Sequence, residues 1–159
     1  MSFLSRIFKR KKPPIKHPGV FHVQMEVKRK FDSAIQKNRR PIKDPEKFNN
    51  LLREFAQQFG KYKIDLRNKK INTSAINSAL KIAEKLTKME PLRAVPWTNK
   101  SLALSALERY PEALEANCRA LEIDPSDPDK WEMQANILIT IGKSKEAETA
   151  LKRAIQLKQ

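Results

Sequence analysis

AVPWTNKSLALSALERYPEALEANCRALEIDPSD (residues 94–127) is followed at once by PDKWEMQANILITIGKSKEAETALKRAIQLKQ (128–159). Sliding one over the other by 34 residues aligns Trp97 with Trp131, Leu104 with Leu138, Glu112 with Glu146, Ala113 with Ala147, Ala116 with Ala150, Arg119 with Arg153 and Ala120 with Ala154. The seven identities in 32 aligned positions fall where packing demands particular residue types. A period of this size is the mark of a supersecondary unit that buries its apolar face only by stacking on the next copy.

Each copy reads as a helix, a tight turn and a second helix. Ala113, Ala120, Ala147 and Ala154 carry only a methyl group, so the second helix of each pair can approach the first closely, and Trp97 and Trp131 fill the space left. Gly142 suits the inter-helix turn, Pro111 opens a helix, Ser144 can cap one, and Asp124-Pro125 closes the first copy. The period of 34, the early aromatic and the small residues of the second helix resemble the tetratricopeptide repeat, over residues 94–127 and 128–159. Three departures from that pattern stand out: Ser101 and Glu108 where the family often has glycine, and Asn117 where a large apolar residue is usual.

The resemblance implies an all-α, short solenoid of helical hairpins that acts as a non-enzymatic protein-interaction scaffold, with the first helices of successive repeats lining a groove for a peptide or partner helix. On this chain the implied lining is Val95, Thr98, Asn99, Leu102, Ser105 and Ala106, then Glu132, Met133, Asn136, Ile139 and Thr140. The chaperone-binding members of the family clamp a terminal carboxylate with Lys, Arg and Asn. Here the implied groove has no Lys or Arg, and Asp129 and Glu132 would repel a carboxylate, which argues against that role.

Upstream the pattern loosens but stays helical. Asp44 and Pro45 predict a helix start and Gly60 a stop, with Phe48, Leu51, Leu52, Phe55 and Phe59 forming one apolar stripe that reads as core. A polar, basic connector is expected from Lys61 to Asn72. Thr73 or Ser74 then caps a helix that carries Ala75, Ile76, Ala79, Leu80, Ala83 and Leu86 and stops before Pro91. Because Ala79 and Pro91 lie 34 residues before Ala113 and Pro125, this helix reads as the second half of a degenerate leading repeat or as an extension of the solenoid. Further upstream, Phe31, Ala34 and Ile35 predict a short helix, and Pro13, Pro14, Pro18 and Gly19 predict an extended segment before it. The expected organisation is therefore a basic, proline-interrupted arm (1–43), an amphipathic helix with a basic connector (44–72) and the helical repeat domain (73–159).

Charge divides the chain differently from hydrophobicity. Residues 1–72 carry 20 Lys or Arg against 6 Asp or Glu, whereas residues 73–159 carry 13 against 12. The total of +15 calls for an anionic partner, and it comes in clusters: Arg6, Lys9, Arg10, Lys11, Lys12 and Lys16, then Lys28, Arg29, Lys30, Arg39 and Arg40, then Lys69 and Lys70. Phe21, His22, Phe31 and Tyr62 are interleaved as candidate stacking groups. A spread this long suits a grooved polyanion, RNA or a ribonucleoprotein such as the ribosome, better than a flat one. The alternative is an anionic membrane surface, with Phe3, Leu4, Ile7 and Phe8 inserted beside the Lys9–Lys12 run.

Other classes of function find little support in the sequence. Only three glycines are present and no Ser, His and acid set has a suggestive spacing, so catalysis is not expected. His17 and His22 have no companions at ligand spacing, so neither a metal nor a cofactor is expected, and the one cysteine, Cys118, reads as a small core residue. No apolar run is long enough for a spanning helix. The expected location is cytoplasmic; a mitochondrial presequence is the competing reading, because no acidic residue precedes Glu26. With no polar capping helix after the last repeat, Leu138, Ile141, Leu151 and Ile155 are expected to present apolar surface that a homodimer or another partner could cover.

Overall fold

The computed structural model describes residues 41–67 and 72–159, and every described element is a helix: α1 (Pro45–Arg67), α2 (Thr73–Met89), α3 (Ala94–Ala106), α4 (Tyr110–Ile123), α5 (Pro128–Thr140) and α6 (Ser144–Lys158). Each helix packs on the one before it in the chain, so α1–α2, α3–α4 and α5–α6 form three hairpins stacked in sequence order. The expected arm up to residue 40, the short helix around Phe31 and the clusters from Arg6 to Arg40 lie outside the described residues, as do Lys69 and Lys70.

The leading hairpin differs from its sequence reading in three ways. Gly60 does not stop α1, which runs on to Arg67, so most of the expected connector is helical. A glycine inside a helix costs about 1 kcal/mol relative to alanine, and tertiary contacts offset it here. Phe55 and Phe59 stack at 5.6 Å, Phe59 meets Tyr62 at 5.8 Å, and all three pack on the core that α1 shares with α2. Tyr62 is thereby a packing residue, not a stacking group for nucleic acid. At the start of α2 the cap is neither Thr73 nor Ser74 but Asn72, whose side-chain oxygen accepts from the Ala75 amide at 3.0 Å.

The core runs from Phe48 and Phe55 of α1 through Ile76, Ala79, Ile82, Ala83 and Leu86 of α2 to Ala103, Leu104, Ala113, Ala116 and Ile137. A smaller cluster of Ala135, Leu138, Ala147 and Ala150 joins α5 to α6. The alanines expected to permit close approach are all buried. Ser101 serves the same end with a hydrogen bond added. It is fully buried, and its hydroxyl donates to the Ala113 carbonyl at 2.8 Å, tying α3 to α4.

Repeat-equivalent contacts recur atom for atom. Trp97 Nε1 donates to the Pro91 carbonyl and Trp131 Nε1 to the Pro125 carbonyl, both at 2.9 Å. The turn leaving α2 is thus held in the same way as the turn leaving α4. The turns within the repeats match as well: Arg109 N–H to the Leu104 carbonyl (2.9 Å) and Glu108 N–H to the Ser105 carbonyl (3.0 Å), against Lys143 to Leu138 (2.8 Å) and Gly142 to Ile139 (3.0 Å). This pair of bonds is a Schellman motif, whose residue after the cap adopts positive φ. Gly142 does so at 79° and Glu108, at the equivalent place, at 59°. A side chain is strained there, so Glu108→Gly is expected to raise stability by about 0.5–1 kcal/mol despite its flexible unfolded state. Thermal unfolding checks this; a lower melting temperature would contradict it.

The third departure, Asn117, is satisfied on one side only: its side-chain oxygen is buried with no hydrogen-bond partner among the described residues. It is fully buried, and its amide donates to the Lys130 carbonyl at 3.1 Å across the α4–α5 junction. Lys130 is itself only 5% exposed. Its ammonium sits 2.8 Å from Asp124 and 2.6 Å from Asp127, the cap of α5. Burial pushes the Asp124 carboxyl up, but Lys130 and Ser126 together outweigh this and hold it below its ordinary value. A depressed carboxylate contributes stability that is present above its unfolded pKa and lost as pH falls through the folded one. Between about pH 5 and about pH 3 the native chain should therefore lose stability faster than Lys130→Met, with the difference between them constant at higher pH. Equal acid sensitivity of the two would remove the network from the stability account.

Two smaller expectations also change. Ser144 is the first residue of α6 and Lys143 occupies the cap position, with no capping hydrogen bond from its side chain. Cys118 is only half-buried, at the edge of α4 where the Gln134 amide donates to its sulfur at 3.4 Å. Of the aliphatics expected to face outward on α5 and α6, Leu138 belongs to the core and Ile141 is half-buried, while Leu151 and Ile155 are exposed.

Candidate protein-binding groove

Successive hairpins place α3 and α5 side by side, each presenting one helical face to the same side. On α3 that face is Val95, Thr98, Asn99 and Leu102, at the i, i+3, i+4, i+7 spacing of one stripe. On α5 it is Asp129, Met133, Asn136 and Thr140. Between the C-terminal half of α3 and α5 lies a cleft of about 340 Å³ lined by Leu102, Ser105, Tyr110, Asp129, Glu132, Met133, Asn136, Ile137 and Thr140.

Six of the eleven groove residues named from the sequence, Leu102, Ser105, Glu132, Met133, Asn136 and Thr140, meet in this cleft, while Ala106 packs against the core. Val95, Thr98 and Asn99 continue its α3 wall toward the N-terminus without lining it, and Val95 is 50% exposed. Thr98 spends its hydroxyl on the Ala94 carbonyl, 3.2 Å away. Ile139, 55% exposed, precedes Thr140 by one residue and so falls off the Asn136–Thr140 stripe, on the shoulder of α5. Tyr110 and Ile137 line the cleft without having been expected. Tyr110 is the first residue of α4, placed opposite Leu102 by the tight turn; Ile137, one turn after Met133, serves core and cleft together.

The cleft walls are largely apolar and its charges negative. No Lys or Arg lines it. Glu132 accepts a close hydrogen bond from the Lys158 ammonium in the last turn of α6. Glu132 first, and Asp129 at longer range, hold that ammonium above the ordinary lysine value.

A second cleft, about 1080 Å³, lies where the start of α1 meets the end of α2, lined by Lys43, Asp44, Lys47, Leu51, Lys85, Lys88 and Met89 among others. Lys81, Lys85 and Lys88 are all exposed on one face of α2. The sequence total for residues 73–159 concealed this basic stripe, because acidic residues of later helices cancel it in the sum; the spacing 81, 85, 88 is the signal that shows it. Among the described residues no group of three His, Cys, Asp or Glu converges on a metal-sized site, and no helix is long and apolar enough to cross a membrane.

Helical hairpins stacked in sequence order define a repeat scaffold. The tetratricopeptide repeat model matches residues 94–127 and 131–159, the two helical hairpins α3–α4 and α5–α6. The chain is similar to the STIP1 homologue of Dictyostelium discoideum, 24% identical over 67% of its own length; it spans about a fifth (19%) of that curated relative. Among solved structures it resembles the TPR2AB domain of yeast Sti1 in complex with pHSP90, with a TM-score of 0.62 and 22% identity over 87% of this chain and 46% of that one. It also resembles PcrH in complex with the chaperone binding region of PopB, with a TM-score of 0.56 and 19% identity over 69% of this chain and 81% of that one. These likenesses establish the fold.

Proposed function

We propose that the chain is a non-enzymatic adaptor with two binding surfaces: the α3–α5 groove takes a segment of a protein partner, and the basic N-terminal half takes RNA or a ribonucleoprotein. The observation that carries the first part is the open, mostly apolar cleft at the place where repeat scaffolds present their first helices. Sti1 and PcrH, solved with pHSP90 and with a region of PopB, lend the groove reading support by analogy. The second part rests on the segregation of charge in residues 1–72, which the exposed lysines of α2 extend onto the folded scaffold.

A peripheral membrane adaptor is the second reading, favoured by one feature, the adjacency of Phe3, Leu4, Ile7 and Phe8 to Lys9–Lys12. Binding of the full chain to a structured RNA and to phosphatidylserine vesicles, measured in parallel over a salt series, separates the two. RNA binding that survives replacement of all four apolar residues by serine is the expected result. Vesicle binding that is lost on this replacement, with no salt-sensitive binding to RNA, would favour the membrane.

A further inference from the structure

The α3–α5 cleft is built for a cation beside an aliphatic group. Leu102, Met133 and Ile137 give it apolar walls, while Asp129 and Glu132 supply negative charge along the first turns of α5. An ammonium already stands at its rim. Lys158 reaches from the last turn of α6 across 26 residues of sequence to Glu132, and Asp129 adds to the attraction. The Ser105 hydroxyl oxygen, set in the opposite wall, is shielded from solvent and has no hydrogen-bond partner among the described residues. A carboxylate entering the cleft would meet two like charges, and the one cation at the rim, Lys158, is already paired with Glu132.

Resting on the adaptor reading above, we propose that the groove's ligand is a protein segment presenting Lys or Arg next to an aliphatic side chain. Its cation displaces Lys158 from Glu132, and its aliphatic group enters between Leu102, Met133 and Ile137. Lys158 is then an internal competitor that the ligand must replace. The net charge of +15 sharpens the distinction, because the long-range field of this chain repels a basic segment and attracts an acidic one. A preference for a basic segment at the groove can therefore come only from local contacts.

The test uses the full, isotope-labelled chain and two end-blocked amphipathic helical peptides that share a leucine stripe and differ in carrying Lys or Glu beside it. The Lys peptide is expected to shift the amide resonances of Ser105, Glu132 and Asn136 saturably. Glu132→Gln should weaken this binding about threefold and Lys158→Gln should strengthen it about threefold, the size of one exposed ion pair. The proposal is overturned if the Glu peptide shifts the same resonances at equal or lower concentration, or if Lys158→Gln leaves the Lys peptide unaffected or weakens it. If neither peptide shifts them, the groove reading itself falls along with the proposal.

Discussion

Leu104→Ala is expected to destabilise the protein by about 2–5 kcal/mol, the range for removing a leucine from a site that cannot collapse around the void. Leu104 is 1% exposed and lies in the cluster that links α1 and α2 to the first repeat, so the cavity would be walled by side chains from several helices. Its carbonyl also receives the Arg109 amide in the turn that follows. The repeat-equivalent Leu138 provides an internal control. It too is buried, but its cluster is smaller and bordered by the half-buried Trp131 and Ile141, which can relax into the space. Leu138→Ala should therefore cost less, near the lower end of that range. Urea unfolding of the two variants reads the comparison. A larger loss at Leu138 would mean that the second repeat, not the junction with the leading hairpin, limits stability in this stack.

That contrast between equivalent positions also shows which features the sequence carries openly. The 34-residue offset exposed both repeats because Trp97, Trp131 and the paired alanines are required by local packing: the two tryptophans make the same hydrogen bond in the structure, and the alanines are all buried. The end of α1 was hidden because Gly60 is a helix stop only where nothing else holds the helix, and the stacking of Phe59 on Phe55 and Tyr62 is a tertiary fact. Lys130 was hidden for a related reason. A lysine in the first turn of a helix normally reads as solvated, and its burial depends on Asp124 and Asp127 arriving from the preceding turn. In the groove, the helical stripe identified Leu102, Met133 and Asn136, but only the tight turn between α3 and α4 places Tyr110 opposite them.

RNA affinity should fall about 10³-fold between 50 and 200 mM salt if about six phosphates are contacted, since each contact releases condensed counterions and the logarithmic slope is close to −0.9 per contact. The lysine stripe on α2 makes this expectation specific. Lys81, Lys85 and Lys88 are exposed and share one face, and the last two border the cleft that also holds Lys43 and Lys47. If the stripe supplies three of the six contacts, replacing all three lysines by glutamine should reduce the fall to about 40-fold over the same range. The exposed positions of the three side chains make the variant's stability close to that of the native chain. A salt response left unchanged by the triple variant would confine the polyanion contact to the arm, and a flat response in the native chain would sink RNA as the partner. Serine at positions 3, 4, 7 and 8 leaves every phosphate contact in place, so the slope of that variant should match the native one even where vesicle binding is lost.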